Sequence, residues 1–155
     1  MKMIFTVAHV EDHPMLRKLL GIHFFREGIQ AGLEANNGVE LLEMLDNGGA
    51  VPDVCLLDLN MPVMDGFETA RRLREKYPTV KILAYSGNDM PQRVEEVLGC
   101  GAHGFISKDL APEEIHKALL AVFNNQPYIK HHPVTIKGSG GKVAKYPSLH
   151  RSQAQ

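Results

Sequence analysis

The chain has 155 residues, of which 44% are hydrophobic and 23% charged, and its formal net charge is -1. This length and composition are typical of one globular domain with a sizeable core. No apolar run approaches the ~20 residues that a membrane helix needs. Residues 1–7 form a strand pattern and lack the layout of a signal peptide. We therefore expect no membrane contact and a cytoplasmic location.

The cysteines and the charge distribution add two further expectations. Cys55 and Cys100 lack the spacing of a metal site, and we interpret both as buried thiols in a reducing compartment. Residues 1–124 hold 12 basic and 18 acidic residues, whereas residues 125–155 hold five basic residues and no acidic one. This shift predicts a domain over 1–124 and a basic flexible tail or linker remnant over 125–155.

Short apolar runs alternate with segments of helical period along most of the chain. Residues 13–27 are an example, and Gly28 follows them as a stop. Their apolar residues recur close to a 3.6-residue period: Met15, Leu16, Leu19, Leu20, Ile22 and Phe24. The predicted strands are residues 4–9, 29–35, 53–57, 80–85 and 102–106, and the predicted helices are 13–27, 37–46, 65–77, 91–98 and 112–123. This alternation predicts an α/β fold: a flavodoxin-like, doubly wound, five-stranded parallel sheet of order 2-1-3-4-5 with five helices.

Polar residues occur at the carboxyl ends of four predicted strands. Glu11 and Asp12 follow strand one, Asp58 ends strand three, Ser86 ends strand four and Lys108 follows strand five. In a parallel sheet these ends meet at one edge, where such folds place their chemistry. Clustered carboxylates repel each other unless a cation joins them, and their oxygens suit Mg²⁺. Since a lysine and a hydroxyl suit phosphoryl oxygens, the pattern predicts phosphoryl transfer to Asp58 as nucleophile.

Each of these residues also has a plainer interpretation. Asp58 and Ser86 could start ordinary turns, and Lys108 could be solvated. Glu11 and Asp12 could simply cap helix one, since Pro14 suits a first helical turn. Their joint position at one edge of the sheet favours a single site over independent coincidences.

The full set resembles the motifs of two-component response-regulator receiver domains. The matching motifs are Glu11-Asp12, Asp58 with Met61-Pro62 and Asp65-Gly66, Ser86, and Lys108, and the resemblance covers roughly residues 3–124. It implies a signalling protein that accepts a phosphoryl group from a histidine kinase or phosphotransfer protein. The only catalysis it implies is self-catalysed phosphorylation and dephosphorylation, so we expect no enzyme in the usual sense.

The resemblance also implies a metal site. Asp58 resembles the phospho-acceptor and a Mg²⁺ ligand, and Asp12 resembles the other direct carboxylate ligand. The backbone carbonyl of Asn60 resembles the third protein ligand, and Glu11 resembles a residue that acts through water.

The remaining matches imply a switch. Lys108 resembles the lysine that contacts the phosphate, Ser86 the switch hydroxyl and Phe105 the aromatic rotamer switch. Once Ser86 moves towards the phosphoryl group, Phe105 is expected to turn inward beneath helix four. The expected result is a changed surface on helix four, strand five and helix five.

Two details concern the output. The Lys108-Asp109 pair, where many family members have Lys-Pro, is most similar to receivers of the LuxR-type helix-turn-helix subgroup, and we expect this peptide bond to be trans. Residues 125–155 are too short and too rich in Gly and Ser for that output domain. We expect transcription regulation, and contact with DNA, through an output domain that is absent here. A phosphorylation-dependent homodimer or a stand-alone receiver acting by protein–protein contact is the alternative.

Two other function classes remain to be compared. A haloacid-dehalogenase-type phosphatase also uses a strand-end aspartate, but it needs a second aspartate where this chain has Asn60, which cannot transfer protons. A flavodoxin-like cofactor binder needs a phosphate loop after strand one, where Glu11 and Asp12 would repel an anion.

Overall fold

The computed structural model describes residues 5–130. Strands and helices alternate along them, as the sequence predicts. The strands are β1 (Thr6–Val10), β2 (Gln30–Ala35), β3 (Val54–Asp58), β4 (Lys81–Ser86), β5 (Gly104–Ser107) and β6 (Tyr128–Lys130). The helices are α1 (Pro14–Arg26), α2 (Gly38–Asp46), α3 (Gly66–Lys76), α4 (Pro91–Gly99) and α5 (Pro112–Phe123).

The strands form one parallel sheet with helices on both faces. Strand β3 lies at its centre between β1 and β4, and all of its residues are buried. This explains its continuous apolar sequence, because a parallel strand is covered on both sides. The strand ends in Asp58, so the buried run delivers one carboxylate to the edge of the sheet.

Several helix starts follow from local chemistry. The side chains of Asn37 and Asp65 accept hydrogen bonds from the backbone N–H groups of Glu40 and Glu68, which caps α2 and α3. Helix α1 is capped by His13 rather than by the preceding acidic residues. Within the described part of the chain, no helix combines the length and apolar character that crossing a membrane requires.

Two apolar layers hold the helices on the sheet. One layer joins the sheet to α2, α3 and α4, and contains Val94, Val97 and Phe105. The other joins the sheet to α1 and α5, and contains Phe24 and Ile106. Successive β5 residues Phe105 and Ile106 therefore enter opposite layers, as the two-residue period of a strand requires.

Within residues 5–130 the sheet has six strands, in the order β2-β1-β3-β4-β5-β6, so the predicted count of five is wrong. The additional strand, β6, pairs in parallel with β5 and places Ile129 opposite Phe105. It lies within the segment that the sequence predicts to be a flexible tail. A strand of only three residues is too short to show the alternating pattern from which strands are predicted.

Helix α5 supplies a polar anchor for β6. The carboxylate of Glu114 accepts a hydrogen bond from the Tyr128 hydroxyl at 2.7 Å and lies 2.9 Å from the Lys130 ammonium. These contacts attach the new strand to a helix as well as to the sheet edge. Residues 131–155, the rest of the predicted tail, lie outside the described residues.

Candidate functional site

The ends of β1 and β3 bring three acidic residues together. One carboxylate oxygen each from Glu11, Asp12 and Asp58 lies within 4.8 Å of the others. Glu11 and Asp58 are each only 1% exposed, whereas Asp12 is exposed. The cluster is therefore a partly buried concentration of negative charge with one side open to solvent.

Lys108 follows β5 and crosses to the two buried carboxylates. Its ammonium lies 2.9 Å from Glu11 Oε2 and 3.2 Å from Asp58 Oδ2. Burial alone would lower the pKa of Lys108, but its hydrogen bond to Glu11 and the charge of Asp58 outweigh burial and raise this pKa. The lysine therefore stays protonated and partly neutralises the cluster.

Glu11 has further partners that hold it in place. The hydroxyl of Tyr85, the residue before Ser86 in β4, donates to Glu11 Oε2 at 2.8 Å, and the His13 N–H donates to Oε1 at 3.2 Å. Burial and the adjacent Glu11 charge raise the pKa of Tyr85, so this hydroxyl remains a donor. A buried carboxylate needs such partners, because an unpaired one would be costly. Sequence analysis did not identify Tyr85.

The environment of the Asp58 carboxylate disfavours its charged form. Burial and the charge of Glu11 raise its pKa from 3.8 to about 6, against the Asn60 N–H and the Lys108 ammonium, which lower it. The Asn60 N–H donates to Asp58 Oδ1 at 3.0 Å and fixes the orientation of the carboxylate. The raised pKa shows that the neighbouring donors do not fully neutralise the carboxylate, so the site favours contact with a cation.

Ser86, at the end of β4, is fully buried beside this cluster. Its hydroxyl oxygen accepts hydrogen bonds from the Asn88 backbone N–H at 3.1 Å and from the Asn60 side chain at 3.4 Å. Both donors belong to loops that follow strands β3 and β4. The hydroxyl thus connects the two loops that border Asp58.

Phe105 is also fully buried, in the layer that contains α4. It lies in β5, opposite Ala84 of the neighbouring strand β4. In this structure the ring therefore already lies inward, in the position that sequence analysis expects it to take once Ser86 moves towards a phosphoryl group. Lys108-Asp109 is joined by a trans peptide bond, as expected.

The sequence family described as "Response regulator receiver domain" matches residues 7–120. The chain belongs to this family. Membership confirms the resemblance drawn from the motifs and the expected class, the receiver domains of response regulators.

Individual relatives point to the same family. The nitrate/nitrite response regulator NarL of Escherichia coli (strain K12) is 41% identical over 118 residues, covering 74% of this chain and 52% of that protein. The transcriptional activator ExaE of Pseudomonas putida is 37% identical over 125 residues, covering 78% and 56%. This chain thus spans about half the length of the curated relatives it matches.

Solved structures show the same fold. The chemotaxis response regulator CheY4 of Vibrio cholerae has a TM-score of 0.70 and 30% identity, with 77% of this chain and 99% of that chain covered. A LuxR-family response regulator from Aurantimonas sp. SI85-9A1 has a TM-score of 0.74 at 23% identity, covering 81% and 89%. The flavodoxin-like parallel arrangement with five helices is confirmed.

Proposed function

We propose that this receiver domain is switched by a phosphoryl group on Asp58 within a two-component phosphorelay. The main support is the ionised, buried Asp58 carboxylate beside the Lys108 ammonium at 3.2 Å. A carboxylate oxygen attacks the phosphorus of the donor, the P–N bond of a phosphohistidine breaks, and its electron pair returns to the imidazole. Lys108 contacts a phosphoryl oxygen, and Ser86 donates its hydroxyl to another.

We propose that the acidic cluster holds Mg²⁺. The donors fit that ion, since Mg²⁺ prefers oxygen ligands and retains several waters. Asp12 and Asp58 would be the direct carboxylate ligands, the Asn60 backbone carbonyl the third, and Glu11 would act through water. The bound cation supplies neutralisation of the charge on the carboxylates and on the incoming phosphoryl group. The same cluster serves self-catalysed phosphorylation and dephosphorylation.

The cognate donor in this proposal is a histidine kinase or phosphotransfer protein that docks beside the cluster. Helix α1 exposes Met15 (61%), Leu19 (56%) and Ile22 (45%). Met15 and Leu19 line the same cleft as Asp58 and Lys108. Adjacent exposed apolar side chains are typical of protein contact surfaces. They would place a protein donor over the acceptor carboxylate.

For the output, we propose that Ser86 is the moving member of the switch pair, and that its move towards the phosphoryl group, with the Phe105 ring inward, changes the surface of α4, β5 and α5. The receiver unit would be residues 1–124, extended by β6 of the following basic segment 125–155, because β6 pairs with β5. The response would regulate transcription through a DNA-binding output domain, or act through a phosphorylation-dependent homodimer or another protein. The compartment would be the cytoplasm.

The proposal is tested with two kinds of donor and Mg²⁺. Asp12→Ala is expected to abolish phosphorylation by acetyl phosphate and by a histidine kinase active on the wild type, because the metal site is lost. Leu19→Ala is expected to slow only the transfer from the kinase. Asp109→Ala is the control, since Asp109 is an exposed carboxylate close to Lys108 in sequence. Normal phosphorylation of the Asp12→Ala variant would contradict the metal role.

A further inference from the structure

Helix α4 has few attachments to the rest of the domain. Its buried apolar residues are Val94 and Val97, and its N-cap residue Met90 makes no side-chain hydrogen bond. Arg93 is half-buried and supplies a polar attachment: Nη2 donates to Asn60 Oδ1 at 2.7 Å. A segment with a small apolar face depends strongly on each such contact for its position.

The Arg93 guanidinium has a second contact on α3. Its central carbon lies 5.2 Å from the centre of the Phe67 ring, which is a cation–π distance. This stacking and the hydrogen bond to Asn60 use the planar shape of the guanidinium. Its Nε is buried and has no hydrogen-bond partner within residues 5–130, so the contact uses only part of the donor capacity.

Asn60 continues the connection into the acceptor site. Its side-chain nitrogen donates to Ser86 Oγ at 3.4 Å, while its backbone N–H donates to Asp58 Oδ1 at 3.0 Å. A continuous chain of contacts thus runs from Arg93 on α4, through the Asn60 amide, to the hydroxyl at the end of β4. If Ser86 turns towards a phosphoryl group on Asp58, it moves away from the Asn60 amide.

We propose that Arg93 is a positioning residue that fixes the Asn60 side chain and thereby holds the Ser86 hydroxyl on the Asn60 amide. The inference rests on the proposed acceptor role of Asp58. Arg93 thus biases the equilibrium of the Ser86 hydroxyl towards its position on the Asn60 amide and away from a position on the phosphoryl group. A phosphoryl group shifts that equilibrium only by its differential affinity, and it must overcome this contribution.

Loss of a purely structural contact would leave the affinity for a phosphoryl mimic unchanged or lower, whereas loss of Arg93 should raise it. Removing Arg93 lowers the free-energy difference that a phosphoryl mimic must overcome, so the mimic binds more tightly. We expect Arg93→Ala to bind beryllofluoride, in the presence of Mg²⁺, about tenfold more tightly, which corresponds to about 1.4 kcal/mol. That is the order of magnitude of one hydrogen bond to a charged group.

Isothermal titration calorimetry with beryllofluoride and Mg²⁺ tests this on the full chain. Arg93→Lys keeps the charge but loses the planar fork, and we expect a smaller increase in affinity than for Arg93→Ala. Gln92→Ala, at an exposed neighbouring position on α4, is the control and should match the wild type. Amide hydrogen exchange of residues 91–99 without the mimic should be faster in Arg93→Ala than in the control.

The outcomes separate this inference from the proposed function. A wild-type chain that does not bind beryllofluoride would overturn the acceptor role of Asp58 and this inference with it. Binding by the wild type, with equal affinity in Arg93→Ala, would overturn only the role of Arg93. Weaker binding by Arg93→Ala would also overturn it, because Arg93 would then stabilise the phosphorylated arrangement.

Discussion

Replacing Asp58 by Asn should stabilise the folded chain at neutral pH in the absence of divalent cations. The wild-type carboxylate is buried beside Glu11, and its pKa is raised from 3.8 to about 6. An asparagine occupies nearly the same volume, carries no charge, and its oxygen can still accept the Asn60 N–H. The substitution therefore removes electrostatic repulsion while it retains most of the packing.

The pKa shift sets the size of the effect. Each unit corresponds to about 1.4 kcal/mol, so the whole shift would represent about 3 kcal/mol at neutral pH. Solvent reaches the site on the side of Asp12, and the variant also loses the ion pair between Asp58 and Lys108. We therefore expect an increase in the free energy of unfolding of about 1–2 kcal/mol.

The dependence on pH follows from linkage. Between the unfolded pKa near 4 and the folded pKa near 6, the native state binds more protons, so wild-type stability falls as pH rises. The destabilisation by the Asp58 charge is absent below this window, where Asp58 is protonated in both states. It is complete above the window, so the advantage of Asp58→Asn should be largest at pH 7.5 and should decrease towards pH 4.

Urea unfolding with EDTA at pH 7.5 and at pH 4.5 measures both features. Asp109→Asn, which removes an exposed carboxylate, is the matched control and should change stability little at either pH. Millimolar Mg²⁺ should stabilise the wild type more than Asp58→Asn. An unchanged or lower stability of Asp58→Asn at pH 7.5, or an equal gain at both pH values, would refute the electrostatic reasoning.

Two further substitutions test the packing and hydrogen bonds around the site. Gly66→Ala should destabilise the fold by about 2 kcal/mol or more, because the added Cβ would contact the Asp58 carbonyl oxygen and lie 2.7 Å from Leu59 Cα. Gly99→Ala is the control, since a Cβ there meets nothing within 4 Å. In thermal unfolding this control should be neutral or stabilising. Tyr85→Phe should cost about 1–2 kcal/mol, because buried Glu11 loses a donor. Urea unfolding compares Tyr85→Phe with Tyr77→Phe, which removes a more exposed hydroxyl. If Tyr85→Phe lowered the free energy of unfolding no more than Tyr77→Phe, the role given to the Tyr85 hydroxyl would be contradicted.

The sequence predicts the acidic cluster because its members lie at strand ends. Asp58 ends a fully apolar run, and parallel topology then brings it close to Asp12 and Lys108 without detailed knowledge of packing. Tyr85 could not be predicted in the same way. Its hydroxyl reaches Glu11 across 74 residues of sequence, so the contact depends on the register of three strands. The one hint in the sequence is that Tyr85 directly precedes Ser86 at the end of β4.

The other features missed by sequence analysis also depend on tertiary contacts. Strand β6 exists through pairing with β5 and through the contacts of Glu114, none of which produces a periodic pattern. The role of Arg93 depends on where α4 lies relative to Asn60, which a helical period does not specify. Local patterns thus predict which elements form, whereas side-chain contacts between distant elements require the folded arrangement.

The central claim is that Asp58 accepts the phosphoryl group, and mapping the modified residue tests it most directly. The chain is incubated with acetyl phosphate and Mg²⁺, the acyl phosphate is trapped by borohydride reduction, and the modified peptide is identified by mass spectrometry. We predict one modified residue, Asp58, and no modification in Asp58→Asn. Modification at another residue, or an unchanged yield in Asp58→Asn, would contradict the account.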